Sequence, residues 1–288
     1  MTAAIRPRRS VLYMPGSNAR ALEKARTLPA DALILDLEDA VAPDAKDLAR
    51  TQVCEAVKAK GFGKREVAIR VNALSTAWGE ADLAAAATAG PDAILVPKVS
   101  TPAELAAVEQ RLGNAKVALW AMVETPLAIL NIASIAAAGG RLASFVMGTN
   151  DLIKEFRGKH TPDRQNLSAA LSLSVAAARA YGLAVIDGVY NDIQNTDGFL
   201  ESCRQGLAFG FDGKTLIHPS QVEPCNTVFA PSAEDVEAAR KILAAFALPE
   251  NRNKGAIALD GRMVELLHAE IARQTVALAD AIAALGQS

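Results

Sequence analysis

Six ionisable residues stand at the ends of four apolar runs, in positions a buried core would not accept. They are Asp36, Glu38 and Asp39 in LILDLEDAV, Arg70 in VAIRVN, Glu124 in LWAMVET and Asp151 in FVMGTND. Carboxylates gathered in this way suit a divalent metal. Mg²⁺ keeps an octahedral shell and gives up water reluctantly, so one or two protein carboxylates plus water and substrate oxygens hold it. Glu124 and Asp151, each just before or after a turn signal, are the candidate ligands for Mg²⁺. The alternative is that both merely cap helices at strand–helix turns. Glu38 and Asp39 could orient metal-bound water, whereas Asp36 and Glu38 share a face if the strand runs on through them. Arg70 offers a planar fork for a carboxylate or a developing enolate oxygen. Its structural alternative is an ion pair with Asp36 or Glu38.

Other residues carry weaker signals. The turn Pro15-Gly16-Ser17-Asn18 opens a helix bearing Arg20 and Lys24, and such a start favours phosphate or carboxylate groups; capping by Ser17 is the plainer reading. Lys98 in VPKV could act as a nucleophile if desolvated, but acidic neighbours would keep it charged. His218 would orient a loop, and His160 and His268 read as surface residues. With only three histidines in the chain, a histidine-built metal site is not expected. Gly213-Lys214-Thr215 resembles the end of a phosphate-binding loop, yet it enters a strand rather than a helix.

The elements that must position these groups are repeated strand–helix units. The apolar runs are Ser10–Pro15, Ala32–Asp39, Glu66–Asn72, Ala93–Val99, Val117–Thr125, Leu142–Thr149, Leu183–Tyr190 and Gly213–Pro219. They are apolar throughout rather than alternating, as expected of strands covered on both faces. Amphipathic segments such as Ala19–Leu28, Pro102–Leu112 and Leu167–Tyr181 separate them. Eight such units predict a parallel (β/α)8 TIM barrel over residues 1–230, with its chemistry at the carboxyl ends of the strands. Residues 231–288 would form a C-terminal helical extension that either covers the mouth or contacts another subunit. Its expected helices are Ser232–Ala247, started by Ser232 with Asp235 three residues on, and a last one from about Gly261 to Leu285.

Thirty basic against 32 acidic residues give a net charge of −2, with no footprint for nucleic acid or an anionic membrane. The small clusters Arg6/Arg8/Arg9 and Arg252/Lys254 could meet a polyanionic ligand. Three cysteines without metal spacing point to a reducing compartment. With no signal-peptide core or membrane-length apolar run, the expectation is a cytoplasmic protein.

The motifs LYMPGSN, LDLEDAVAP, IRVN, ILVPKV, VETP, GTNDL, GVYNDI, GKTLIHPSQV and NTVFAPS follow one another from Val11 to Ser232. In this order they resemble the beta subunit of citrate lyase and the stand-alone malyl-CoA and citramalyl-CoA lyases, within the HpcH/HpaI aldolase/citrate lyase superfamily. The resemblance implies a Mg²⁺-dependent barrel that cleaves a 3-hydroxyacyl-CoA (citryl, citramalyl or malyl type) into acetyl-CoA or a homologue and a 2-oxo acid, usually as a homotrimer or hexamer. It makes Glu124 and Asp151 the metal ligands, Arg70 and Glu124 the substrate contacts, and Glu38 and Asp39 the carboxylates near the metal water. Lys24, with Arg20, would meet the phosphates of coenzyme A, although Asn18 stands where some relatives have arginine. Glu265, in Gly261-Arg262-Met263-Val264-Glu265, falls where relatives carry a catalytic aspartate. Two alternatives remain. One is a metal-dependent pyruvate aldolase that does not use CoA; that branch has a histidine beside the second-strand acidic motif, where Ala40 stands here. The other is an accessory beta subunit active only in a citrate lyase complex.

Overall fold

The computed structural model describes residues 5–286. Eight parallel strands close a barrel in chain order: β1 Ser10–Pro15, β2 Ala32–Asp36, β3 Glu66–Arg70, β4 Ala93–Val96, β5 Ala118–Val123, β6 Leu142–Met147, β7 Ala184–Asp187 and β8 Gly213–Leu216. β8 pairs back onto β1, and helices such as Lys46–Ala59, Pro102–Leu112 and Ser168–Ala180 separate the strands. This is the (β/α)8 barrel expected from the repeated apolar runs.

Both faces of the strands are covered by apolar side chains, which is why the runs do not alternate with polar residues. Val11, Ile34, Leu95, Trp120, Val146 and Ile186 form one buried cluster, and the alternate residues Leu12, Leu33, Ile69, Ile94, Leu119 and Phe145 belong to the other. The first set fills the barrel as packed side-chain layers and the second meets the helices. Trp120, fully buried, takes up interior space that Ala68 and Ala93 leave.

Most strands are shorter than the apolar runs that announce them. The β2 ladder ends at Asp36 rather than Asp39, because the Asp36 carboxylate captures the backbone N–H groups of Glu38 and Ala40 at 2.9 and 3.0 Å. That side-chain competition turns the chain out of the sheet. The alternation of faces assumed for residues 36–39 therefore fails. Two members of the N-terminal basic cluster are also reassigned. Arg8 pairs with Glu66, and Arg9 forms a two-bond fork with Asp31 at 2.8 Å each, at the amino ends of the strands. They close the bottom of the barrel and are not open to a polyanion.

A buried ion cluster ties the last strands together. Asp187 and Lys214 are both 0% exposed, with Lys214 Nζ 2.8 Å from Asp187 Oδ2, and Arg164 Nη1 approaches Asp187 Oδ1 at 2.7 Å. Burial opposes the Asp187 charge, but Lys214 and Arg164 outweigh it and hold the carboxyl below its usual pKa. Its stabilisation is therefore complete above the ordinary aspartate value and is lost as pH falls through the lower folded value. Asp187→Ala leaves a fully buried ammonium without its partner, at an expected cost of about 3–5 kcal/mol. Urea unfolding at neutral pH checks this, and a loss under ~1 kcal/mol would mean that water or Arg164 movement compensates. In the variant the acid limb of the stability profile should also be shallower.

The residues Arg8–Phe229 form one compact unit; the described residues before Arg8 and from Ala230 onward belong to a second. The second unit contains the helix Ala233–Ala247, opened by the predicted Ser232/Asp235 capping box. The helix expected from Gly261 is instead preceded by a hairpin, β9 Ala256–Leu259 with β10 Arg262–Glu265, and the helix runs Leu266–Gly286. Asp260 and Gly261, at φ 50° and 76°, make the two-residue turn. Asp-Gly between alternating residues is a hairpin signal that the helical reading of this stretch passed over. Among the described residues no helix is long and apolar enough to cross a membrane.

Candidate active site

Strand register brings the first ion pair together. In the β2–β3 ladder Asp36 stands opposite Arg70, and the guanidinium forks onto it, Nε to Oδ1 at 2.6 Å and Nη2 to Oδ2 at 2.7 Å. Asp36 thus accepts two bonds from Arg70 and two from the loop backbone. It anchors Arg70 and shapes the turn. The remaining terminal nitrogen, Nη1, lies 2.7 Å from Glu38 Oε2 and 3.5 Å from Asp39 Oδ2. Arg70 is 5% exposed, and its guanidinium lies 4.9 Å from the ring centre of Tyr13. The ion-pair reading of Arg70 holds, and the same side chain also lines the mouth cavity.

Glu38 is placed by residues whose role was not legible in the sequence. The Lys46 ammonium is buried and donates to the carbonyls of Leu37 and Glu38 and to Asn72 Oδ1, at 2.8, 2.7 and 2.9 Å. Asn72 also bonds Leu37 O and Asp82, and Arg50 holds Asp82 from the other side. This chain fixes the acidic loop through its backbone. The Glu38 carboxyl is pushed up to about 7, chiefly by burial, with Arg70 opposing and Asp39 and Asp36 adding to the rise. Its Oε2 finds no aligned hydrogen-bond donor despite the close Arg70 charge. A carboxylate poised near neutrality can take up and return a proton at physiological pH.

Glu124 and Asp151 are not helix caps. Thr125 caps the helix Pro126–Leu130, its hydroxyl accepting from Ala128 N–H, and Gly148 occupies the cap position before Thr149–Glu155. Glu124 is 1% exposed and its Oε1 accepts the Lys98 backbone N–H at 2.7 Å. Burial, then the charges of Glu38 and Asp151, raise its pKa to about 7. Room for its side chain depends on Gly148, where any Cβ would collide with the Glu124 carboxylate. Asp151 lies in the first turn of its helix. Lys98 has a left-handed backbone at φ 56°, and its ammonium lies 3.9 Å from Glu38 Oε1 and 3.8 Å from Asp151 Oδ1. Burial works against the Lys98 charge, but Glu124, Asp151 and Glu38 together lift its pKa above the usual value, so it stays protonated.

Asp36, Asp39, Arg70 and Asp151 line a cavity of about 300 Å³ together with Tyr13, Met122 and Asn191, among others; Glu38 and Lys98 meet this lining at Arg70 and Asp151, and Glu124 meets it at Gly148. The donor set is hard oxygen: Glu124 and Asp151 repel each other, and the lysines nearest Asp151, Lys98 and Lys154, stay 3.8 and 4.0 Å away. This fits Mg²⁺. Among the described residues no group of three or more His, Cys, Asp or Glu could hold a metal alone. Two protein carboxylates completed by water and substrate oxygens are the set the mouth can offer.

Not every sequence candidate joins this cluster. Arg20 and Lys24 are exposed on the helix Ala19–Ala25, whose cap is Asn18 rather than Ser17. Glu265 ends β10 in the second unit, its N–H donating to His268 Nδ1 at 3.0 Å, so it is neither mid-helix nor part of the barrel. His218 caps the short turn after β8 through Ser220 N–H, as expected of a loop-orienting residue. Lys214 lies in β8, fully buried and paired with Asp187, so the GKT run is a strand rather than a loop opening a helix.

Residues 9–219 match the HpcH/HpaI aldolase/citrate lyase family. A (3S)-malyl-CoA thioesterase of Cereibacter sphaeroides is 51% identical over 282 residues, 98% of each chain. The citrate lyase subunit beta of Escherichia coli is 35% identical over 269 residues, 90% of this chain and 89% of that one. Among solved structures, CitE from Mycobacterium tuberculosis, in complex with magnesium, acetoacetate and coenzyme A, superposes with a TM-score of 0.76 at 31% identity, covering 96% of this chain and 99% of that one. On barrel, site and sequence together, the chain belongs to the HpcH/HpaI aldolase/citrate lyase family.

Proposed function

We propose that the protein is a Mg²⁺-dependent enzyme acting on a malyl-CoA-type thioester, and that it hydrolyses the thioester to the free hydroxy acid and coenzyme A. The observation that carries this is the 51% identity, over nearly the whole chain, to a (3S)-malyl-CoA thioesterase. The family-level reading from sequence, carbon–carbon cleavage, is kept as a second one because the citrate lyase beta subunit matches over 90% of the chain.

The assigned roles serve either reaction. Glu124 and Asp151 hold the metal. When bound, Mg²⁺ supplies Lewis acidity that polarises a carbonyl or hydroxyl oxygen of the substrate. Glu38, near neutrality, is the proton acceptor, with Asp39 beside it. In hydrolysis it takes a proton from the water whose oxygen adds to the thioester carbon; the C–S bond then breaks and the thiolate is protonated. In cleavage it takes the hydroxyl proton as the C–C bond breaks, giving a 2-oxo acid and the enolate of acetyl-CoA, which is protonated on carbon. Arg70 stabilises the oxyanion in both. Lys24 and Arg20 are assigned to the phosphates of coenzyme A.

Incubating the purified protein with (3S)-malyl-CoA and Mg²⁺ separates the readings by product. Free thiol and malate support hydrolysis, glyoxylate and acetyl-CoA support cleavage, and no Mg²⁺-dependent product overturns both. Glu265 enters by resemblance alone, as the group that completes proton transfer at a neighbouring copy's mouth. On that assignment Glu265→Gln should slow turnover about 10²-fold with Mg²⁺ binding unchanged, and Glu265→Asp should retain activity. Mixing Glu265→Gln with Arg70→Ala chains should recover some turnover through hybrid oligomers. No recovery after confirmed subunit exchange removes the shared-site assignment.

A further inference from the structure

Lys98 has no step of its own in either reaction, yet the chain takes on backbone strain to place it. Its φ of 56° lies in the left-handed region, which is unfavourable for a residue with a Cβ and concentrates at functional sites. The two ends of the residue show what that conformation achieves. Its N–H points at the buried Glu124 carboxylate, 2.7 Å from Oε1. Its ammonium lies 3.9 Å from Glu38 and 3.8 Å from Asp151, with the Glu124 charge acting on it as well. Lys154 also approaches Asp151, at 4.0 Å, but from a side chain 72% exposed. Arg70 already carries Asp36 and Glu38. Lys98 is thus a cation placed between the acidic loop that carries Glu38 and the helix that carries Asp151.

We propose that Lys98 is a resident counter-ion: its ammonium neutralises Glu38 and Asp151 until a divalent cation is bound at Asp151, and it is then released to hold an anionic oxygen of the substrate. The inference rests on the metal assignment made for Glu124 and Asp151. An ammonium and a divalent cation within 4 Å of one carboxylate repel each other, so the two are alternatives at Asp151. Release is easy. The side chain is 45% exposed, both contacts are near the outer limit for an ion pair, and exposed pairs of this kind are weak. A lysine stem swings freely while its backbone stays fixed on Glu124. The ligand class follows from this: a carboxylate-bearing molecule that arrives after the metal. By linkage, metal and anion should strengthen each other's binding.

Calorimetry with Mg²⁺ and with oxalate, a small dicarboxylate probe, tests this on the intact protein without turnover. Lys98→Asn removes the charge while tolerating the left-handed backbone, Lys98→Gln is a second neutral variant should the first not fold, and Lys98→Arg keeps the charge. The neutral variants should bind Mg²⁺ about tenfold more tightly, at the lower end of what a unit charge at 4 Å is worth near a surface. Oxalate at saturating Mg²⁺ should bind them about tenfold more weakly, with Lys98→Arg close to wild type in both. Unchanged or weaker Mg²⁺ binding in a folded neutral variant, or unchanged oxalate binding, overturns the proposal for Lys98 alone. A wild-type protein that binds no Mg²⁺ overturns the metal assignment and this inference with it.

Discussion

Lysine in place of Arg70 should lower turnover of the thioester by about 10²–10³-fold, the loss typical of removing one oxyanion donor. The guanidinium performs tasks that a single ammonium cannot combine. It forks onto Asp36 through Nε and Nη2 while Nη1 stays close to Glu38 and Asp39. A lysine would pair with Asp36 and leave the Nη1 position empty, because a point charge does not reproduce the planar fork. Glu38 would lose the charge that opposes its rise in pKa, so more of it would be protonated at neutral pH. The measurement is kcat/KM at saturating Mg²⁺, with thermal unfolding to establish that the fold persists. Wild-type turnover in a folded Arg70→Lys protein would reduce Arg70 to a structural ion pair.

Asp151→Ala should weaken Mg²⁺ binding at least 10²-fold, since loss of a mere supporting partner already costs 10–100-fold at metal sites. Turnover at moderate Mg²⁺ should fall with it. The fold should survive, because Asp151 lies in the first turn of a surface helix with its side chain 24% exposed and contributes little packing. Two calorimetric titrations decide the matter. If Mg²⁺ affinity is the same in variant and wild type, Asp151 is not a ligand. If affinity falls and excess Mg²⁺ restores turnover, the defect is in holding the metal rather than in the chemistry. Glu124→Gln offers a parallel check at a position whose space is guaranteed by Gly148.

The barrel was legible because its signal is strong and local. Strands covered on both faces must be apolar throughout, and the helices between them must be amphipathic; both patterns are written residue by residue. The top-face placement of Asp36, Arg70, Glu124 and Asp151 followed from the same patterns, since a charge that ends an apolar run has to lie where the strand leaves the core. The stretch 256–265 shows the limit. Its Asp260-Gly261 turn signal sits in a short segment whose apolar residues also fit a helix, and the length of the following helix drew the reading forward.

What the sequence determined by itself is thus the order of the barrel strands and the residue types that stand at their carboxyl ends. Each depends only on residue type and on neighbours a few positions away. What the tertiary structure alone decided is which charge faces which. Asp36 meets Arg70 because of the β2–β3 register, Lys46 reaches the carbonyls of Leu37 and Glu38 from a helix beyond the loop, and Lys98, with a left-handed backbone, lies between the acidic loop and the Asp151 helix. The same holds for the buried Asp187–Lys214–Arg164 cluster, whose mutual pairing across strands and loop no local pattern in the chain announces. Burial and ångström-scale distance set the energy of a charge, and neither is a property of a residue until the chain around it has closed.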